Sequence, residues 1–423
     1  MEYTKEKEKN VALYPIYKMF SWDVLFYYAI IFLFFTEVKN ISASDVFLAE
    51  SAYPLFKVLF LIPATILIDK IGKRKSLITG NIFLFLSTAT YLLATDFKLI
   101  ILGEFFAAIG FIIKGICETN MLYDSLEKNE KRGSNFSKID GRASSIYYYI
   151  DAITSILAGF LFTVNGYIPM ICCLAMNGLS IYLATKFKEI DNVEKVNKIT
   201  VGKEIKELKK SIKAIFSSSR LKNLIIFGAV FAGILSVLTH LRSSLLSDIN
   251  VPAQYFGVIF AVFGIISGIA AKNQSRFHKK FKNKTLASLS LPVVISCIVL
   301  GLWCNLPFSY VATLILVLGI FLIQYIAKGP FYTLIRQYLN NFTNTSLRNK
   351  ISSSYNLLES IFRALISFSA SVLLRYTSTS NVFIILGCVF TIIVVLMLDK
   401  MKTKVGLKPE EYKEKDIKIL ELK

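Results

Sequence analysis

Eight ionisable side chains lie within long apolar stretches of the sequence, where a charge is costly to bury and normally faces a wet cavity or another charge. They are Asp23, Lys57, Glu104, Lys114, Glu118, Asp151, Glu359 and Arg363. A carboxylate that binds a proton in one state and ionises beside a Lys or Arg in another can relay protons, and the same groups can bind a polar solute. These eight side chains are therefore the candidates for proton coupling or substrate binding.

The spacing of these residues suggests partners for some of them. Lys114 and Glu118 are four residues apart, as are Glu359 and Arg363, so each pair lies on one face of a helix. Such a pair is either a functional relay or a fixed ion pair that only binds helices together, and the sequence leaves both open. Asp23 has no partner at helical spacing, and neither has Asp151, which favours a function for both.

The elements that must carry these groups are helices across a membrane. Apolar residues make up 54% of the 423 residues and charged residues only 18%. Charge-free runs such as 77–94 and 382–398 approach the roughly 20 residues that span a bilayer core. We predict an all-α membrane protein with twelve transmembrane helices. The predicted spans are 14–36, 45–69, 76–95, 98–121, 143–164, 166–187, 220–240, 252–272, 284–304, 308–334, 351–375 and 380–399.

The longest polar break divides these spans into six and six. We predict an N-terminal six-helix bundle over residues 1–187 and a C-terminal six-helix bundle over residues 220–400. The linker, residues 188–219, repeats apolar residues at steps of three and four with Lys between them, which predicts a basic amphipathic helix on the cytoplasmic membrane surface. The tail, residues 401–423, is polar and rich in Lys and Glu.

The net charge of +20 is a topology signal. The N-terminus, the tail and the loops after even-numbered spans hold 42 Lys and Arg, whereas the loops after odd-numbered spans hold 4. This asymmetry follows the positive-inside rule and predicts a multi-pass protein of the cytoplasmic membrane with both termini in the cytoplasm. It argues against nucleic acid as a partner.

This topology gives each buried charge a depth. Asp23, Lys114, Glu118 and Asp151 are expected toward the cytoplasmic side, where they could form one polar cluster. Glu104 precedes Glu118 by fourteen residues, close to four turns, so both should face the same way about 21 Å apart. Glu50 and His240 are expected near the outer surface, as interfacial residues. Gln324, Tyr325 and several further Tyr and Asn side chains within spans could line a cavity.

The loop between the second and third predicted spans carries a motif, Ile68-Asp69-Lys70-Ile71-Gly72-Lys73-Arg74-Lys75. Here the chain resembles the major facilitator superfamily, whose signature G-x-L-a-D-[RK]-x-G-[RK]-[RK] it matches except at the first glycine, where it has Thr65. The resemblance implies two pseudo-symmetric six-helix bundles that alternate access to a central site. It also implies that Asp69, Lys70, Gly72, Lys73 and Arg74 latch the two halves in one conformational state. Asp69 could bond to backbone N–H groups or to a basic partner.

A second resemblance covers Tyr123-Asp124-Ser125-Leu126 and the segment Phe136-Ser137-Lys138-Ile139-Asp140-Gly141-Arg142. These residues resemble the loop between spans four and five of a Gram-positive bacterial group of the same superfamily, most of whose members are known only as transporters. The C-terminal half is similar to the family by topology alone. The G-P-x-x-G-G pattern of drug–proton antiporters is absent from span five, where the chain reads Ser155-Ile156-Leu157-Ala158-Gly159-Phe160.

These observations predict a secondary active transporter for a small organic solute, working by alternating access and coupled to protons. An uncoupled facilitator, a multidrug efflux antiporter and a non-transporting membrane sensor or scaffold are the alternatives. No phosphate-binding loop and no hydrolase or zinc-protease motif occurs, so we do not expect an enzyme. We expect no cofactor and no metal, and as partners a small-molecule substrate, protons and lipid, with the protein a monomer.

Overall fold

A computed structural model describes residues 5–127, 132–190, 219–281, 284–341 and 345–401. Within these residues the chain forms fourteen α-helices and one π-helical turn. The helices are α1 (Lys5–Ser21), α2 (Ile31–Leu33), α3 (Ala43–Ile71), α4 (Lys73–Leu93), α5 (Phe97–Ser125), α6 (Arg132–Val164), α7 (Ile168–Lys186), α8 (Ser219–Asp248), α9 (Ala253–Lys272), α10 (Gln274–Phe281), α11 (Thr285–Cys304), α12 (Tyr310–Asn341), α13 (Thr345–Leu374) and α14 (Thr379–Asp399), with the π-helical turn Phe34–Val38 following α2.

The prediction of an all-helical, multi-pass membrane protein is confirmed. Eleven helices of the described residues are long and apolar enough to cross a bilayer, and those residues contain no strand. The count of twelve is approximately supported, since the eleven correspond to the second through twelfth predicted spans.

The first predicted span differs from the prediction, because residues 14–36 are not one continuous helix. Helix α1 ends at Ser21, and regular helix resumes only at Ile31. Between them the backbone turns, and Phe26 has a φ of +62°, in the left-handed region that side chains other than glycine rarely adopt. The segment then continues through α2 into the π-helical turn. Hydropathy alone could not show this break, because the residues within it are as apolar as those of a helix.

Several further helix ends differ from the predicted ones, and two of them bear on the site. Helix α6 begins at Arg132, eleven residues before the predicted start of span five. Helix α8 ends at Asp248, eight residues beyond the predicted end of span seven. Arg242, which the topology argument assigned to an outer loop, is therefore a helical residue.

The chain divides into two compact units. The N-terminal unit comprises Met1–Glu204 with Pro252–Ala261, and the C-terminal unit comprises Ile205–Val251 with Val262–Lys423. The predicted bundle boundaries, 1–187 and 220–400, stay predictions. The amphipathic helix predicted for the linker, residues 201–215, lies outside the described residues, as does the tail from residue 402.

In the N-terminal unit, α4 and α5 pack with their backbones close together. A methyl group at Gly110 would lie 2.9 Å from the carbonyl oxygen of Gly80, and one at Gly80 would lie 3.2 Å from that of Gly110. Small residues allow membrane helices to approach in this way. The contact holds the next turn of α5, which carries Lys114, at a fixed height in the unit.

The two ends of the N-terminal six-span section are bonded to each other. The side-chain amide of Asn10 donates to the carbonyl oxygen of Lys188 at 2.8 Å, and its oxygen accepts from the Lys188 amide N–H at 2.8 Å. Asn10 is almost fully buried, so both of its polar atoms need these partners.

In the C-terminal unit, α8 is the central helix. Buried residues make up 83% of its membrane window, against at most 56% for any other span of the described residues. Its Phe231 ring meets Phe331 of α12 edge to face at 4.7 Å. A polar side chain on α8 is thus surrounded by protein on nearly every side.

Candidate functional site

The break in the first span is held by a lysine from another helix. Lys114 of α5 is only 2% exposed, and its ammonium group donates to the carbonyl oxygens of Ser21 and Trp22, the latter at 3.0 Å. The last carbonyls of a helix have no partner within the helix, and a cation there also complements the helix dipole. Lys114 therefore takes the place of the helical turn that α1 lacks.

Asp23 lies within the break. One of its carboxylate oxygens, Oδ1, accepts from the amide N–H of Val24 and from the hydroxyl of Tyr28, both at 2.9 Å. The carboxylate also interacts electrostatically with Lys114 and with Lys57 of α3. Asp23 is thus stabilised by a backbone N–H group and by the positive charges of two lysines.

Glu118 lies one turn beyond Lys114 on α5 and is 4% exposed. No salt bridge forms between these two residues, because the ammonium group of Lys114 is directed at the α1 carbonyls. Oxygen Oε2 of Glu118 is buried without a hydrogen-bond partner among the described residues. An ionised carboxylate is costly to bury without hydrogen bonds, whereas the protonated acid is far less so.

Asp151 of α6 completes the cluster around the break. Its carboxylate interacts electrostatically with Asp23. Aromatic rings of the break and of α6 contact each other beside these two residues. Trp22 meets Tyr147 at 5.2 Å and Tyr148 at 4.8 Å, each edge to face. We call Asp23, Lys114, Glu118 and Asp151 the broken-helix cluster. Electrostatic interactions link Asp23 to each of the other three residues.

An ion pair with a buried lysine adjoins this cluster. Lys18 of α1, 4% exposed, forms a salt bridge with Asp140 of α6, and Tyr14 donates to the same carboxylate oxygen at 2.6 Å. Lys18 also interacts electrostatically with Glu118. Sequence reasoning missed the pair because both residues were assigned to loops. The only available signal was that Asp140 belongs to the second family-like segment.

Glu104 lies apart from the cluster, near the other end of α5. Its Oε1 accepts from the hydroxyl of Tyr91 at 2.7 Å. Glu50 of α3 interacts electrostatically with the same tyrosine and is 8% exposed. Glu50 is therefore enclosed by protein, and its expected position near the outer surface stays a prediction. Lys57, also on α3, lies with its ammonium 5.4 Å from the ring centre of Tyr53.

The family-like loop has the geometry of a tight joint between α3 and α4. Gly72 separates the two helices with a φ of +85°, a conformation that glycine adopts without strain. Lys73 forms a salt bridge with Asp124 at the end of α5, and Arg74 donates to the carbonyl oxygen of Thr185 in α7 at 2.8 Å. The motif therefore ties three helix ends together within the N-terminal unit.

The N-terminus of α4 is capped by a carboxylate from outside the motif. Asp69 is exposed and makes no hydrogen bond within the described part of the chain. The carboxylate of Glu189 instead accepts from the amide N–H groups of Lys73 at 2.9 Å and Arg74 at 2.8 Å. Glu189 follows α7 and has no motif to mark it, whereas its negative charge is well suited to a helix N-terminus. Lys70 is exposed at the end of α3.

The C-terminal unit contains two cations within its helices that sequence reasoning assigned to loops. Arg242 of α8 is 0% exposed, and Lys328 lies in the middle of α12. Of the predicted site residues in this unit, Glu359 and Arg363 of α13 both interact electrostatically with Tyr332 of α12. Their proposed mutual pairing stays a prediction. The apolar and small residues that follow Arg242 could have indicated that the helix continues beyond it.

The comparisons with known proteins agree with this architecture. Residues 16–367 match the sequence profile of the Major Facilitator Superfamily, and the chain belongs to this family. Membership classes the chain with transporters and not with enzymes. A curated relative, the uncharacterised MFS-type transporter YxaM of Bacillus subtilis, is 25% identical over 265 residues, which cover 62% of this chain. The match spans 65% of that relative's length.

Solved structures of transporters share the fold. The nucleoside transporter NupG superposes with a TM-score of 0.69 at 11% identity, covering 96% of this chain and 100% of its own. A D-xylose-proton symporter gives 0.67 at 10% identity, with 93% and 97% covered. A POT family transporter in complex with 5-aminolevulinic acid gives 0.65 at 15%, with 93% and 95% covered. At these identities the likeness concerns the fold alone.

Proposed function

We propose that this protein is a secondary transporter that moves a small organic solute across the cytoplasmic membrane by alternating access, coupled to protons through Asp23, Glu118 and Asp151. The observation that carries the proposal is the buried oxygen of Glu118, which has no hydrogen-bond partner within the described residues and lies one turn from the lysine that holds the broken helix.

Broken helices support this assignment. In secondary transporters, discontinuous helices expose backbone polar groups near substrate and ion sites, and motion of the two halves alternates access to them. Here the exposed carbonyls of Ser21 and Trp22 are occupied by Lys114. In the proposed cycle Glu118 is protonated while Lys114 is directed at those carbonyls. When Lys114 turns toward Glu118, the carboxylate ionises and releases its proton.

The orientation of the cycle follows from the charge asymmetry of the loops. We place both termini in the cytoplasm, so the broken-helix cluster faces the cytoplasmic half of the bilayer and Glu104 the outer half. The Asp69–Arg74 joint then lies on the cytoplasmic side, where it acts as the conformational latch. The functional unit is a monomer, with protons and one small molecule as its ligands.

The proposed solute is a class of compound, small polar organic molecules, and not one compound. Nucleoside, D-xylose and peptide transporters share this fold, and all of these solutes are small polar organic molecules. The lack of the G-P-x-x-G-G pattern in span five makes multidrug efflux a weaker candidate than a polar solute.

Uptake into proteoliposomes tests the proposal. Purified protein would be reconstituted and supplied with radiolabelled uridine, D-xylose, dialanine, succinate or glycerol 3-phosphate, with and without an imposed pH gradient. We expect one of these probes to accumulate above its equilibrium level only with the gradient. Flux that equilibrates at the same rate and extent without a gradient would make the protein an uncoupled facilitator. No flux with any probe would contradict the transporter proposal for these solute classes.

A further inference from the structure

Arg242 has a charge that the described C-terminal unit does not neutralise. Its guanidinium Nε donates to Oε1 of Gln324 at 2.9 Å, but NH1 and NH2 have no hydrogen-bond partner there, although both are buried. Leaving two donors of a buried cation unsatisfied is costly. The unpaired nitrogens form the planar edge of the guanidinium, which fits the two oxygens of a carboxylate or phosphate.

The partner of Nε is itself fixed. Gln324 donates from Nε2 to the hydroxyl of Ser296 on α11 at 3.1 Å, and it is fully buried. Three helices, α8, α11 and α12, therefore set the direction of the Arg242 guanidinium. Because Gln324 is neutral, this network orients the positive charge without cancelling it.

A second cation shares the same aromatic ring. The guanidinium carbon of Arg242 lies 4.5 Å from the ring centre of Tyr325, and the Lys328 ammonium lies 5.5 Å from it. The two charges are therefore at most about 10 Å apart, and Lys328 also interacts electrostatically with Arg363. Cations over a ring gain some stabilisation, but the ring does not neutralise either charge.

Acidic groups are scarce around these cations. Residues 284–341, which include α11 and α12, contain no Asp or Glu. Within the described residues, no carboxylate forms a salt bridge with Arg242 or Lys328. Two like charges close together in a protein interior repel each other, so an arrangement of this kind is stable chiefly when an anion joins them.

We propose that Arg242 and Lys328 bind an anionic group of the transported solute, a carboxylate or a phosphate, in the C-terminal unit. This inference rests on the proposed transport function and deepens it, because it narrows the solute to an organic anion. Lys328 is partly exposed whereas Arg242 is fully buried, so Lys328 is the cation that an incoming anion can reach first. Tyr325 supports both cations.

Equilibrium binding to the purified full-length chain tests this inference. Thermal unfolding and isothermal titration would be measured at constant ionic strength with four anions, succinate, pyruvate, glycerol 3-phosphate and inorganic phosphate. Glycerol and succinamide are the neutral counterparts. We expect at least one anion to raise the unfolding temperature and its neutral counterpart to leave it unchanged. Stabilisation by carboxylates alone or by phosphates alone would identify the group that is bound.

Variants assign the effect to the two cations. Arg242→Gln should weaken anion binding about 10- to 100-fold, as expected for loss of a charge-assisted bidentate contact. Arg242→Lys keeps the charge but loses the planar guanidinium, so its affinity for the anion should lie between those of the wild type and Arg242→Gln. Lys328→Gln should also weaken anion binding. Arg276→Gln is the matched control, since Arg276 is exposed on α10, and it should bind as the wild type does. If Arg242→Gln does not fold, Arg242→Lys and Lys328→Gln provide the same comparison.

Two results would overturn the inference. One is that none of the four anions stabilises the protein more than the neutral compounds do. The other is that the Arg242 and Lys328 variants bind the anion as tightly as the wild type. No gradient is present in this experiment, so failure of proton coupling would not affect it. Conversely, the protein could take up a neutral solute with protons and bind no anion. That result would contradict this inference and still agree with the proposed function.

Discussion

The ammonium group of Lys114 donates to the backbone carbonyl oxygen of Trp22 at 3.0 Å, across 92 positions of the chain. This bond joins α5 to the end of α1 and satisfies a carbonyl that has no partner within its own helix. It makes the break in the first span a property of two helices, so a change in α5 should alter the backbone around Trp22.

Replacing Lys114 by Met tests this relationship. The substitution keeps much of the apolar stem but leaves the Ser21 and Trp22 carbonyls without their donor, which should cost about 1–3 kcal/mol of stability. Hydrogen exchange should accelerate at the amides of residues 22–30. Lys98→Met, at an exposed position of the same helix, should change neither quantity. Unchanged exchange in the Lys114 variant would show that the break does not depend on the lysine.

Glu118→Gln separates proton coupling from solute binding. Glutamine has nearly the same shape but cannot exchange a proton, so gradient-driven accumulation in proteoliposomes should be lost. Exchange of labelled for unlabelled solute across the membrane should persist, because it needs no net proton movement. Glu37→Gln, at an exposed glutamate, should retain both activities. Accumulation at the wild-type level in the Glu118 variant would exclude this residue from coupling.

Gly72→Ala probes the joint between α3 and α4. The φ of +85° disfavours any side chain, and the added methyl group would lie 3.3 Å from Oε1 of Glu189, the residue that caps α4. We expect a loss of about 1–2 kcal/mol, measured by thermal unfolding of the purified protein. Gly115→Ala is the control, because an added methyl there meets nothing within 4 Å and α5 is an ordinary helix. That variant should be as stable as the wild type or up to about 1 kcal/mol more stable.

Cysteine labelling tests the proposed orientation. Asn165, between α6 and α7, should face the outside of the cell, and Asn273, between α9 and α10, the cytoplasm. Both side chains are exposed. A membrane-impermeant maleimide added to intact cells should label Asn165→Cys above the parent protein and should not label Asn273→Cys. Permeabilised cells should label both. The reverse pattern in intact cells would invert the topology.

The sequence predicted the spans well because each is an apolar run long enough for a bilayer, a signal that depends only on local composition. The break at residues 22–30 left no such signal. Apart from Asp23 its side chains are apolar or aromatic, and what stabilises the turn is a donor 92 positions away on α5. Long-range hydrogen bonds of this kind have no counterpart in hydropathy.

The candidate site was predictable to a similar extent. Topology predicts that Asp23, Glu118 and Asp151 lie at similar depths, because helix direction and rise set the height of each residue, and in the structure Glu118 and Asp151 both interact electrostatically with Asp23. It failed for Arg242, since a charge near the end of an apolar run was counted as a loop residue, whereas packing extends α8 to Asp248. It also failed for Glu189, whose role as a cap depends on where α7 ends in space.

The paired bonds between Asn10 and Lys188 have a consequence for the connectivity of the N-terminal section. A stretch of chain whose beginning and end are held side by side can in principle be closed by a short connector and opened at an internal loop, the geometry that circular permutation requires. Joining these ends and cutting between α6 and α7 would preserve both bonds. We therefore expect the packing of the six spans to tolerate a change in their order along the polypeptide.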